Sequence, residues 1–145
     1  METKYSALLG LHDDEGQILV YWDEGWECWL LPWVGQSSTS RTEDAPARWK
    51  RDGLLMPDDE WCSYHRFSEV KGCPEHGDEP RMYEYRLYEY RPVELAARVC
   101  HVGEWDGVDG RRWMWRRLED LLRDPRVRRI NGNVLQHLHR CPAVY

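Results

Sequence analysis

Between Glu43 and Asp52 the sequence changes sign. Two adjacent acids, Glu43 and Asp44, are followed by Arg48, Lys50 and Arg51 in the string "EDAPARWKRDG". Carboxylates can hold a divalent cation through oxygen. Guanidinium and ammonium groups can instead hold phosphate directly. The two chemistries do not share one spot, because like charges about 4 Å apart repel by about 4 kcal/mol at an effective dielectric of 20. Side chains three or four apart share a helix face and neighbours in sequence do not. Glu43 and Asp44 therefore read more simply as acids at the positive end of a helix dipole than as a metal pair. A second acidic group, Glu104, Asp106 and Asp109, lies far along the chain.

A different chemistry is written into "CSYHRFSEVKGCPEH". Cys62, His65, Cys73 and His76 are spaced C-x2-H-x7-C-x2-H, and four soft ligands in two close pairs suit tetrahedral zinc. On a regular strand, however, Cys62 and His65 point to opposite faces. The plain alternative is a buried thiol, a surface imidazole and a loop. His137 and His139, two apart on a helix, do not face one another and are expected at the surface.

Aromatic content is lopsided, with nine Trp and eight Tyr against one Phe. Such rings build cores, and they also line sites where flat ligands stack. Trp26, Trp29 and Trp33 are the candidates for stacking. Charge is uneven too. Residues 111–145 carry nine Arg against three acids, within a chain of net charge −6. This run, with Trp113 and Trp115 interleaved, could meet nucleic acid, but overall acidity argues against it and no nucleic-acid partner is expected. Five cysteines in no regular framework suggest reduced thiols and a cytoplasmic protein. No basic start leads into an apolar stretch, so no signal peptide is expected, and no apolar run approaches membrane-spanning length.

The elements that must position these residues can be read in order. "YSALLGLHDDEGQILVYWDE" predicts a hairpin turning at "DDEG". "WECWLLPW" predicts a short strand stopped by Pro32. A polar loop leads to a helix from about Pro46 to Asp52, capped by Thr42 or Asp44 and ended by Gly53. "EWCSYHRFSEV" and "RMYEYRLYEYRPVE" predict strands, with "KGCPEHGDEP" as the loop between them. The apolar segment "LAARVCHV" follows. "RRWMWRRLEDLLRDP" predicts a strand turning into a helix that stops at Pro125. "NVLQHLHR" predicts a last helix, capped by Asn131 or Asn133. Strands, helix, strands, helix make the class α+β, with one domain over residues 1–145.

The hairpin, "LPWVG", loop, helix and "RRWMWRRLEDLL" together resemble the Nudix hydrolase family over most of the chain. "LPWVG" resembles the family's Leu-Pro-Gly-Gly entrance to its signature helix. The resemblance implies a mixed β-sheet sandwiched between helices. It also implies a helix carrying Arg-Glu-x-x-Glu-Glu-x-Gly, whose glutamates share one face and hold Mg²⁺ or Mn²⁺ for attack of water on a diphosphate. Counted back from Gly53, the signature Arg falls on Pro46, its neighbouring Glu on Ala47, and the metal-binding pair on Lys50 and Arg51. Only Asp52 stays acidic.

The expectation is therefore a Nudix-like domain with a degenerate active site. It would bind a nucleotide or other phosphorylated ligand, or a protein partner, without metal-dependent hydrolysis. Arg48, Lys50 and Arg51 would meet phosphate, and Trp26, Trp29 or Trp33 would stack on a base. No cofactor is expected. The alternative is an active pyrophosphohydrolase that holds Mg²⁺ or Mn²⁺ through displaced carboxylates, Glu43, Asp44 and Glu104. Pairing into a homodimer, as in many family members, is left open.

Overall fold

The computed structural model describes residues 2–12, 16–36, 63–72, 77, 79–90, 104–106 and 111–138, and gives the backbone alone at 63–65, 90 and 104–106. The expected helix after Pro46 and the segment "LAARVCHV" lie outside the described residues. In chain order the described elements are β1 (Thr3–Leu11), β2 (Gln17–Asp23), β3 (Cys28–Leu30), β4 (Trp33–Gln36), β5 (Ser63–Gly72), β6 (Pro80–Tyr90), β7 (Glu104–Asp106) and β8 (Arg112–Arg117). Two helices follow, α1 (Leu118–Arg123) and α2 (Pro125–Gln136).

The strands form two four-stranded sheets, ordered β4-β1-β6-β5 and β3-β2-β8-β7. The first is mixed: β1 runs parallel to β6 and antiparallel to β4. The second is antiparallel throughout. The class is α+β, as the order of elements predicts. Strands β1 and β2 are each apolar on both faces, with Ala7, Leu9 and Leu11 at 0–1% exposure and Ile18, Leu19 and Val20 at 0–2%. Full burial of each such leucine or isoleucine stabilises by about 1.5–3 kcal/mol. A strand buried on both faces belongs in the middle of a sheet, and both of these sit there.

The predicted hairpin does not form. β1 and β2 touch through a single bridge, His12 to Ile18, and then part into different sheets. β1 has β4 and β6 on its two edges, and β2 has β3 and β8, so neither keeps an edge for the other. Gly16, at φ 78°, supplies left-handed backbone on the way into β2.

The short strand expected over "WECWLLPW" is two strands. Cys28–Leu30 pairs with β2, and Trp33–Gln36 pairs with β1. Leu31–Pro32 is the step between sheets. Pro32 has no N–H for a ladder, and its carbonyl accepts from Leu9 N at 2.9 Å.

The last helix begins earlier than predicted. Asp124 is its N-cap, accepting from Arg126 N at 2.9 Å and Val127 N at 3.4 Å, with Pro125 in the first turn. Asp before Pro is a stronger start signal than the asparagines downstream. Asn131 and Asn133 lie inside the helix and do not cap it. Val127, Ile130, Val134 and Leu135 form its buried side. Trp113 and Trp115 are 3% and 7% exposed, so they are core residues and not stacking platforms for nucleic acid. Among the described residues no helix is long and apolar enough to cross a membrane.

Candidate functional site

The pairing register decides what shares a face with α2. Ser6, Leu8 and Gly10 on β1 stand beside Tyr85, Leu87 and Glu89 on β6. Phe67 and Glu69 on β5 stand beside Tyr85 and Tyr83. Alternation along each strand puts these on one side of the mixed sheet, and β5 runs on through Lys71 and Gly72, which sequence reading assigned to a loop.

At one end of this face lies a cleft. Its floor is Ser6, Leu8, Tyr83 and Tyr85, one wall is Asn131 and Val134 of α2, and the other is Leu30, Leu31, Trp26 and Trp33. The cleft is narrow, about 60 Å³. At Trp26 and Lys71 it opens into a mouth of about 380 Å³, flanked by Glu27, Arg126 and Arg129.

Asp23 sets the two tryptophans. Its carboxylate accepts from Tyr21 Oη at 2.6 Å, from Trp26 N at 3.0 Å and from Trp33 Nε1 at 3.4 Å. Burial, and then the Asp23 charge, push the Tyr21 phenol well above its ordinary range. It stays protonated and can keep donating. Arg126 reaches across from α2 to donate to the carbonyl of Trp26 at 2.8 Å, which pins the turn after β2 to the helix. Glu27 in that turn is left-handed at φ 55°, an uncommon conformation for a residue with a Cβ.

Lys71 is the group sequence reading missed. Its ammonium lies 2.8 Å from Glu69 Oε1 and donates to the Ile130 carbonyl at 3.2 Å. It sits 4.9 Å from the centre of the Trp26 ring and 5.4 Å from those of Tyr83 and Tyr85, within cation–π range. Among the described residues two of its three N–H donors are used, and Lys71 lines both cleft and mouth. Tyr85 donates to the same Glu69 oxygen at 3.3 Å, and burial, reinforced by Glu69, raises its phenol strongly. Glu69 Oε2 is buried without a hydrogen-bond partner.

Trp26 and Trp33 line the cleft, and Trp29 does not. Trp29 lies edge-on to Trp22 at 5.6 Å, with the Arg112 guanidinium within 6 Å of both rings. Glu43, Asp44, Arg48, Lys50, Arg51, Cys62, Cys73 and His76 lie outside the described residues, as do the side chains of His65 and Glu104. His137 is exposed yet stacks on Phe67, ring centres 3.8 Å apart. Cys28 is buried, and that burial pushes its thiol up to about 12, so it is an unreactive core group. Tyr83 and Tyr85 were legible as strand residues. Nothing in the sequence marks which side of that strand meets Trp26.

No family model matches the sequence, and no curated protein matches it. Solved structures do. The crystal structure of the Ap4A hydrolase of C. elegans aligns with a TM-score of 0.50 at 13% identity, covering 83% of this chain and 85% of its own. A binary complex of a C. elegans Ap4A hydrolase aligns with a TM-score of 0.50 at 12% identity, covering 92% of this chain and 98% of its own. A Nudix hydrolase from M. smegmatis, RenU, aligns at 0.42 with 16% identity, over 94% of this chain and 88% of its own.

Proposed function

From a fold shared with these Nudix-type structures, we propose that the protein binds a nucleotide-like, phosphorylated small molecule in the cleft, without metal-dependent hydrolysis. One observation carries the proposal: an aromatic slot and a basic mouth meet at Lys71. A flat ring gains about 1–3 kcal/mol by stacking on an aromatic side chain, and Trp26 and Trp33 are held for that by Asp23. Phosphate belongs in the mouth. There Lys71 is neutralised by Glu69 and Arg126 stands 3.5 Å from Glu27, whereas Arg129 has no acidic partner among the described residues. Guanidinium suits phosphate oxygens in a forked geometry.

Fold does not fix function. That similar structures include Ap4A hydrolases supports a nucleotide-like ligand. The absence of hydrolysis rests on sequence alone, on Lys50 and Arg51 standing where the resemblance puts paired glutamates.

Isothermal titration with AMP, ADP and Ap4A, run with and without Mg²⁺, tests the reading. Binding at about micromolar to millimolar strength, independent of Mg²⁺ and weakened by Arg129→Ala, is the expected result. No heat at about 1 mM ligand would sink it. Mg²⁺-dependent phosphate release that disappears on replacing Glu43, Asp44 and Glu104 by Ala would restore the hydrolase.

A further inference from the structure

Two polar side chains line the narrow part of the cleft and make no hydrogen bond among the described residues. Asn131 is 4% exposed and Ser6 is 8% exposed, and both line the cleft. Neither side chain has a hydrogen-bond partner among the described residues. Neither has a polar atom sealed from solvent, so both stay open to a ligand that enters the cleft.

A second, independent oddity sits at the same place. Asn131, Gly132 and Asn133 are three poor helix formers in a row inside α2. Gly132 is not needed for space, since a methyl there would meet only Arg128 Cγ at 3.6 Å. Local rules broken without a packing reason concentrate at functional sites.

We infer that Asn131, assisted by Ser6, is the specificity-determining pair of the cleft and reads the hydrogen-bonding edge of a nucleobase. The inference rests on the nucleotide-like ligand proposed above and adds what is recognised on it. An amide offers an acceptor oxygen beside a donor NH₂, which matches any ring edge with a donor next to an acceptor, as on adenine. An aromatic ring without such an edge leaves Asn131 unpaired and desolvated. The narrow part, about 60 Å³, is smaller than the cavity of about 150 Å³ that takes a benzene ring. The ring therefore enters by its edge, and its body stays in the wider mouth beside Trp26. Lys71 Nζ, bonded to the carbonyl of Ile130 next to Asn131, stands one step outward, and Arg129 in the mouth beyond it is the charge for phosphate.

The test uses two probes that differ only at the base edge, AMP and purine riboside 5′-monophosphate, which lacks the 6-amino donor, titrated against the full chain. The wild type is expected to prefer AMP by about tenfold. Asn131→Leu, which keeps the branched heavy-atom outline and improves helix propensity, should erase the preference by weakening AMP more than the other probe, and Ser6→Ala should reduce it in part. Equal binding of the two probes by the wild type overturns the edge-reading role while leaving ligand binding in place. A preference that survives Asn131→Leu, with unchanged circular dichroism, overturns it as well. If neither probe binds at about 1 mM, the cleft is not the ligand site and both readings fall.

Discussion

The side of the mixed sheet that faces α2 is closed at one end and open at the other, although the same strands build both. At the closed end Gly10 has no Cβ, and Leu138, just past α2, comes down onto the sheet. A methyl on Gly10 would stand 2.7 Å from Leu138 Cδ2 and 3.2 Å from Glu89 Cγ. Glu89 is 1% exposed there and lies 3.4 Å from His12 Nε2. At the open end, four residues back along β1, Ser6 and Asn131 both line the cleft. The space between them remains. One end spends its small residue on close approach, and the other spends two short polar ones on keeping a gap.

That contrast can be tested from both sides. The largest effect is expected from Glu89→Ala, which removes a 1%-exposed side chain beside His12 and should cost about 3 kcal/mol in urea denaturation. A cost below about 0.5 kcal/mol would mean that the closed end is not tightly determined. Gly10→Ala should cost about 2 kcal/mol by overpacking, with Leu138 as the group that moves. Its double mutant with Leu138→Ala should recover much of that loss, and a strictly additive pair would refute the contact. The smallest effect should be a gain. Gly132→Ala has room and a helical backbone, so it should raise stability by about 1 kcal/mol and leave the melting transition cooperative.

Where sequence reading succeeded and failed follows from the same packing. The seam from β8 into α1 was legible because Trp113 and Trp115 share a face with period two and the leucines then change period. β6 was legible because its tyrosines and charges suit a pleated surface. The hairpin expected around "DDEG" was misread as a pairing, and Asp13, Asp14 and Glu15 lie outside the described residues. Turn chemistry says only that the chain reverses, whereas the partners of β1 and β2 are set by which edges the distant strands β6 and β8 occupy. Asn131 was misread as a cap because Asn favours caps, and what holds it inside a helix is the buried side of α2. Trp26 and Trp33 could be nominated by residue type. Lys71 and Tyr83 could not, because the cleft collects them from separate stretches, and the parallel pairing of β1 with β6 is a tertiary fact. The expected phosphate-binding residues Arg48, Lys50 and Arg51 lie outside the described residues.

The step at Leu31–Pro32 has a mechanical meaning. These two residues are the spine of a book whose covers are the two sheets, and the bond from Leu9 N to Pro32 O glues that spine to the middle of one cover. Leu31 and Trp33, on either side of Pro32, both face the cleft. Among the described residues, a guest between the covers thus has the spine at its back and Arg126 and Arg129 at the fore-edge.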